Sequence, residues 1–187
     1  MAILSNPKHG ERLSGFEEIR NNLKSLGITY ERWDTGGPRV GDHASDDEIL
    51  DAYAPEIESL KEQGGYVHAD VINIVPDTPG LEDMLDKFNK EHWHDEDEVR
   101  FIIKGHGLFH IAPENTDVVS IEMEAGDLIR VPKGTRHWFN LCEDKTVRAI
   151  RLFEDPSGWT PHYTDSRKED GYQPLCFGVS HIPVTRT

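Results

Sequence analysis

The stretch EHWHDEDEVRFIIKGHGLFHIAP, residues 91–113, opens as a polar loop and closes as a buried strand. Its first eleven residues hold two histidines, five carboxylates and one arginine. A solvated charge run needs neither a histidine pair nor an apolar continuation. From Val99 the runs FIIKG, GLFHIAP, DVVSIEM, DLIRVP, HWFNL and VRAIRLF follow one another. Each is short, β-rich and bounded by turn signals. That rhythm predicts a mainly β fold built as an antiparallel barrel or sandwich.

Parity within the stretch suggests a site. In a strand, residues two apart face the same way, with Cα atoms ~6.6 Å apart. His92 and His94 then share a face, and Glu98 and Arg100 join them if the pleat is unbroken. Two imidazoles and a carboxylate so spaced can converge on one divalent metal. A further ligand is expected from a neighbouring strand, and GDLIRVPKGTRHWF offers His137 after the turn Pro132-Lys133-Gly134. Three histidines and one glutamate fill four octahedral positions and leave two for a bidentate ligand or O2. Such a donor set favours Fe2+, Ni2+ or Mn2+ over Mg2+ or Ca2+, which prefer oxygen. A lone HxH in an acidic run is more often a solvated loop, and ten histidines make chance pairs common. The conjunction with the second segment is what raises the site above that background.

Upstream of residue 91 the chain reads as polar and helix-rich. Ser14 to Glu17 has the spacing of a capping box, followed by Phe16, Ile19, Leu23 and Leu26 at helical intervals. ITYERWD reads as a strand and TGGPRVGD as a loop. Ser45 to Glu48 is a second capping box, and its helix should divide at Pro55 and stop at Gly64-Gly65. YVHADVINIV reads as a strand. Leu81, Met84, Leu85 and Phe88 mark a short amphipathic helix. The tail after Gly158 shows no readable pattern and is expected to wrap the surface.

The 187 residues suit one domain: a helix-rich part to about residue 90, motif-bearing strands over about 91–158, and a tail over 159–187. Apolar content is 36%, charged content 29%, and the net charge of −15 argues against nucleic acid and anionic membranes. No apolar run approaches a membrane span, and MAILSNPKHG lacks the apolar core of a signal peptide. Cys142 and Cys176 form no metal knuckle or disulfide framework, so two reduced thiols in a cytoplasmic protein are expected.

The segments H-x-H-x3-E-x6-G, from His92 to Gly105, and G-x5-P-x-G-x2-H, from Gly126 to His137, resemble the two cupin motifs. Two positions depart from the general pattern: Asp86 stands where the first motif has Gly, and Leu141 where the second has Asn. DAYAPEIESLKEQGGY, ADVINIVPDTPGLEDML, KEHWHDEDEVRF, GDLIRVPKGTRHWF and IRLFEDPSGWTPHY narrow the match. From about Ser45 to Tyr163 the chain resembles the acireductone dioxygenases, cupin enzymes of methionine salvage. The resemblance implies a cupin-type, jelly-roll-like antiparallel β-barrel with N-terminal helices packed outside it. It implies His92, His94, Glu98 and His137 as ligands to one Fe2+ or Ni2+ per chain, with Trp93 pointing away.

Arg100, Arg130 and Arg151 sit inside apolar runs. For Arg130 an outward position on a half-exposed strand is the simpler reading. A guanidinium on the Glu98 face needs an anionic partner. The resemblance makes both Arg100 and Arg151 substrate-facing, with Phe88, Phe139 and Trp159 as pocket walls, although Phe88 reads equally well as core. His106, His110 and His162 read as ordinary residues. Asp95, Glu96 and Asp97 read as a solvated run, with one of them a candidate to orient a ligating histidine.

The implied substrates are 1,2-dihydroxy-3-keto-5-methylthiopentene and O2, and a monomer is expected. The implied products are formate and the 2-keto acid 2-keto-4-methylthiobutyrate with Fe2+, or carbon monoxide, formate and methylthiopropionate with Ni2+. Another cupin dioxygenase or isomerase for an enediol or catechol, and a cupin that only binds a ligand, remain open alternatives.

Overall fold

A computed structural model describes residues 1–33, 39–155, 157, 159–172 and 176. Residues 35–38 of the expected TGGPRVGD loop, Pro156 and Gly158, and most of the tail beyond residue 172 lie outside the described residues.

In chain order the elements are β1 (Ile3–Asn6), β2 (Glu11–Leu13), α1 (Phe16–Ser25), β3 (Thr29–Arg32), α2 (Asp46–Ala52), α3 (Ala54–Gly64), β4 (His68–Ile74) and α4 (Leu81–Asp86). Then come β5 (His92–Trp93), β6 (Glu98–Ile111), β7 (Val119–Glu124), β8 (Asp127–Val131), β9 (His137–Leu141), β10 (Val147–Phe153) and β11 (His162–Tyr163). All the pairings are antiparallel. One sheet runs β11-β5-β9-β6-β7-β1-β2, and the other runs β4-β10-β6-β8-β3. The fold is mainly β and cupin-type, as expected, but the sheet is not closed. The expected barrel is an open pair of sheets with edges at β11, β2, β4 and β3.

The two sheets share β6. Its first half pairs with β8 and β10, and its second half with β7 and β9. FIIKG and GLFHIAP are therefore one strand, not two. The change of partners falls at Gly105, whose φ is +76°, where an added Cβ would collide with the Thr146 carbonyl. Only glycine accommodates both conditions.

Apolar side chains from the inner faces of both sheets form the main core, which includes Ile102, Phe109, Ile121, Ile129, Phe139 and Ala149. A second core lies on the outer face of the other sheet, where α2 and α3 cover Val99, Phe101, Leu128 and Ile150. Tyr53, at the junction of these helices, packs its ring 5.1 Å from that of Phe101. β6 thus alternates between two buried faces, which is why it reads as a nearly unbroken apolar run.

Several local expectations hold. Ser45 and Glu48 form the reciprocal capping box. Pro55 sits in the first turn of α3, and Gly65 ends that helix in the left-handed region. Arg130 lies on the outer, helix-covered side and reaches Thr29 at 3.4 Å.

Others are corrected. The Ser14–Glu17 box does not form: Gly15 is the N-cap, and Glu18 folds back over it. α1 packs against the sheets through Ile19 and Leu23, which join the main core. The beginning of the chain is not helical: β1 and β2 make a hairpin that adds β1 to the edge of β7. A four-residue strand that buries only Leu4 and Ser5 is too short to show a period. The expected pair of reduced thiols is also overturned. Cys142 and Cys176 are joined in a disulfide, with Cα atoms 5.5 Å apart. Their separation of 34 residues is closed by the returning tail, a tertiary fact that spacing does not carry.

Candidate metal centre

The site forms where the two sheets meet at one end. β5 lies between β9 and β11, and there His92 and His137 are direct Cα partners. Glu98 is the first residue of β6 and pairs with Val131 of β8. Between His94 and Glu98 the chain bends at Asp95 and Glu96. The unbroken pleat assumed from parity is therefore wrong, although its outcome survives. His94 is held against the β8–β9 turn, where its carbonyl accepts from the Gly134 N–H at 2.9 Å. Gly134 has φ +76°, the left-handed geometry this turn needs just before His137.

His92, His94, Glu98 and His137 are all buried, and their ligand atoms lie within 4.8 Å of one another. Each histidine is oriented by a backbone carbonyl. Nδ1 meets Lys90 O at 2.6 Å in His92, Thr160 O at 2.9 Å in His94, and Thr135 O at 2.8 Å in His137. Those bonds orient each ring so that its Nε2 is aimed at the centre. Nε2 of His92 and Nε2 of His94 are buried and have no hydrogen-bond partner among the described residues. Nε2 of His137 is 2.9 Å from Glu98 Oε2, and that of His94 is 3.3 Å from the same oxygen. Three oriented imidazoles around one carboxylate, two of them with an unpartnered Nε2, are the donor set that a divalent transition metal completes.

The electrostatics agree. Burial resists the charge on Glu98, yet the Arg100 guanidinium and the neighbouring histidines hold its carboxyl well below the usual range. His92 is pushed down to about 3, by burial first and by His137 as well, so it stays neutral. Burial also opposes a proton on His94, but the Glu98 carboxylate outweighs burial and raises it.

Arg100 donates to Glu98 Oε1 at 2.8 Å and is only 3% exposed. Its Cζ lies over Phe139 at 4.2 Å, Phe109 at 5.3 Å and Trp159 at 5.4 Å. Nε has no hydrogen-bond partner among the described residues. Arg151 is the Cα partner of Arg100 but is held by Asp70, with Nε to Oδ1 at 2.9 Å and Nη2 to Oδ2 at 2.6 Å. The two arginines thus share a face, but Arg100 is turned to the carboxylate of the centre and Arg151 to the rim.

Phe88, Phe139 and Trp159 lie near the histidines or Arg100. The Phe88 ring is 5.8 Å from His92 and 6.5 Å from His94, and its carbonyl accepts from the Phe139 N–H. Trp159 lies 6.1 Å from His94 and is pinned by its indole N–H to the Asp97 carbonyl. Trp93 faces away and stacks on His162 at 4.4 Å.

The reading of Asp95, Glu96 and Asp97 is corrected. Glu96 is buried and accepts from the Glu154 and Asp155 N–H groups. Asp97 accepts from Tyr66 Oη and the Lys133 N–H. They staple loops around the site, and among the described residues the candidate ligand histidines are oriented by backbone carbonyls instead. Asp95 is exposed and pairs with His162. Sequence reasoning missed Phe109, Asp70 and the three orienting carbonyls. Phe109 shares the inward parity of Ile111, so its position was readable, but a backbone carbonyl has no side-chain signature.

A family model described as the ARD/ARD' family matches residues 10–161. The chain belongs to the ARD/ARD' family. The match reaches further toward the N-terminus than the resemblance from Ser45 and takes in β2, α1 and β3. The ARD/ARD' relatives include an acireductone dioxygenase of Picosynechococcus sp., 41% identical over 175 residues, covering 94% of this chain and 99% of that protein. Another, from Geobacillus thermodenitrificans, is 40% identical over 179 residues, covering 90% of this chain and 98% of that protein. A solved ARD/ARD' structure, an acireductone dioxygenase from Bacillus anthracis with a cadmium ion in its active centre, superposes with a TM-score of 0.80. It is 36% identical, and the match covers 87% of this chain and 98% of that one. Among the described residues no helix is long and apolar enough to cross a membrane.

Proposed function

We propose that this member of the ARD/ARD' family is a metal-dependent acireductone dioxygenase of methionine salvage, acting as a monomer. The proposed ligands are His92, His94, Glu98 and His137, holding one Fe2+ or Ni2+. The observation that carries the reading is the pair of buried Nε2 atoms of His92 and His94, which have no hydrogen-bond partner among the described residues and gather with His137 and Glu98 beside a buried guanidinium. A bound metal with open positions would serve as Lewis acid and template for 1,2-dihydroxy-3-keto-5-methylthiopentene and O2. The residues then have distinct tasks. The carbonyls of Lys90, Thr135 and Thr160 hold the imidazole tautomers. Arg100 stabilises the enediolate charge in a site where Phe139, Phe109 and Trp159 exclude water. Phe88, Phe139 and Trp159 line the pocket, and Arg151 stands at its rim. The electron-rich enediolate itself is the reductant for O2.

The proposed products are formate and 2-keto-4-methylthiobutyrate with Fe2+, and carbon monoxide, formate and methylthiopropionate with Ni2+. The test is anaerobic purification, metal analysis, reconstitution with each metal, and measurement of O2 uptake and products with the acireductone. Uptake with both metals, and carbon monoxide with Ni2+ alone, is expected. No uptake with either metal would refute the reading.

A further inference from the structure

Asp70, Arg151 and Arg100 form one charged row across three strands. Asp70 and Arg151 are Cα partners in the β4–β10 ladder, and Arg151 and Arg100 in the β10–β6 ladder. Directly opposed residues project from the same face with Cβ atoms ~4.5–5.5 Å apart. Two guanidiniums therefore stand side by side, and the Trp159 ring touches both, 5.4 Å from Arg100 Cζ and 5.3 Å from Arg151 Cζ. They are differently committed. Arg100 is buried on Glu98. The Arg151 and Asp70 side chains are 22% and 46% exposed, so this pair meets solvent and anything that enters from it. An unpaired guanidinium in that place would be a ready site for sulfate, phosphate or any other simple oxyanion.

We propose that Asp70 is a positioning residue that acts through Arg151 to set the anion selectivity of the site. Its two-point bond fixes the guanidinium plane and cancels its charge. With Asp70 and Glu98 set against Arg151 and Arg100, these four side chains carry no net charge. The divalent metal then matches a doubly charged enediolate, which is held by chelation. A simple oxyanion finds no surplus cation at the mouth. The proposal rests on the dioxygenase reading for the identity of the substrate, but not for the behaviour of the Asp70–Arg151 pair.

Sulfate is the probe. It is titrated by calorimetry into metal-loaded wild type, Asp70→Asn, Asp70→Ala, Asp70→Glu and the double variant Asp70→Asn/Arg151→Met. The Asn and Ala variants should bind sulfate about fivefold more tightly than wild type, the upper range for an exposed ion pair. Asp70→Glu should bind it as weakly as wild type, and the double variant should lose the gain. In turnover, sulfate should raise KM for the acireductone more steeply in Asp70→Asn and leave kcat unchanged. Equal sulfate affinity in wild type, Asp70→Asn and Asp70→Ala would overturn the proposal, as would a gain that survives removal of Arg151. A wild type that consumes no O2 would sink the dioxygenase reading, while the calorimetry would still decide the role of Asp70.

Discussion

The two faces of the β6–β9 ladder both bury histidine, and they use it in opposite ways. On the inner face His137 meets His92, His94 and Glu98. On the outer face, one residue along each strand, His110 stacks on Trp138 at 4.8 Å and meets the edge of Tyr172 at 5.9 Å. His110 is as deeply buried as the inner histidines, and its Nδ1 has no hydrogen-bond partner among the described residues. Burial alone pushes it down to about 4. What distinguishes the inner face is convergence on a carboxylate, with a carbonyl fixing each ring. A buried histidine is thus not in itself a ligand. The exposed histidines make a third case, since His106 and His162 each pair with a surface aspartate.

The largest effect should come from His92→Ala. Metal content after gel filtration should fall from one ion per chain to near zero, with O2 uptake lost, whereas His110→Ala should retain the metal. A His92→Ala protein with full occupancy would break the contrast between the faces. Arg100→Met should keep the metal but lower kcat/KM by about 10²–10³-fold, the cost of one preorganised donor at a developing charge. Unchanged kcat/KM would make Arg100 a purely structural partner of Glu98.

The His110 contrast is sharpened by pH. The unfolded imidazole takes a proton near 6.5, and the folded one only near 4. The unfolded chain therefore binds more protons between these values, and stability falls as pH drops through that window. His110→Phe should remove this part of the acid loss, at most about 3 kcal/mol. Urea midpoints at pH 7 and pH 4.5 measure it, and an identical acid loss in the variant would refute the burial argument. The smallest effect belongs to the surface pairs: His106→Ala should leave both thermal midpoint and metal content unchanged within error.

Much of the centre was legible because its parts are local. The H-x-H-x3-E spacing and the turn before His137 are short-range features with their own sequence marks, and so are the capping box at Ser45 and the break at Pro55. What was misread is non-local. The parity argument brought His92, His94 and Glu98 to one place through a pleat that the chain in fact breaks at Asp95 and Glu96. Glu96 and Asp97 looked like solvated charge because their partners, the Glu154 and Lys133 N–H groups, lie 36 residues or more away in sequence. The β1–β2 hairpin was missed because its strands are too short for periodicity to register.

By itself the sequence determined the β-rich character, the four ligand candidates and the glycines that the turns require. All of these follow from residue type and spacing within a few positions, where side-chain direction and backbone freedom are set locally. The tertiary structure alone decided three things: that Arg100 turns inward to Glu98 while Arg151 is taken by Asp70, that backbone carbonyls aim the imidazoles, and that Cys176 returns to Cys142. Each depends on which strand lies beside which. That is settled by burying two faces of β6 at once, and no short run of residues encodes it.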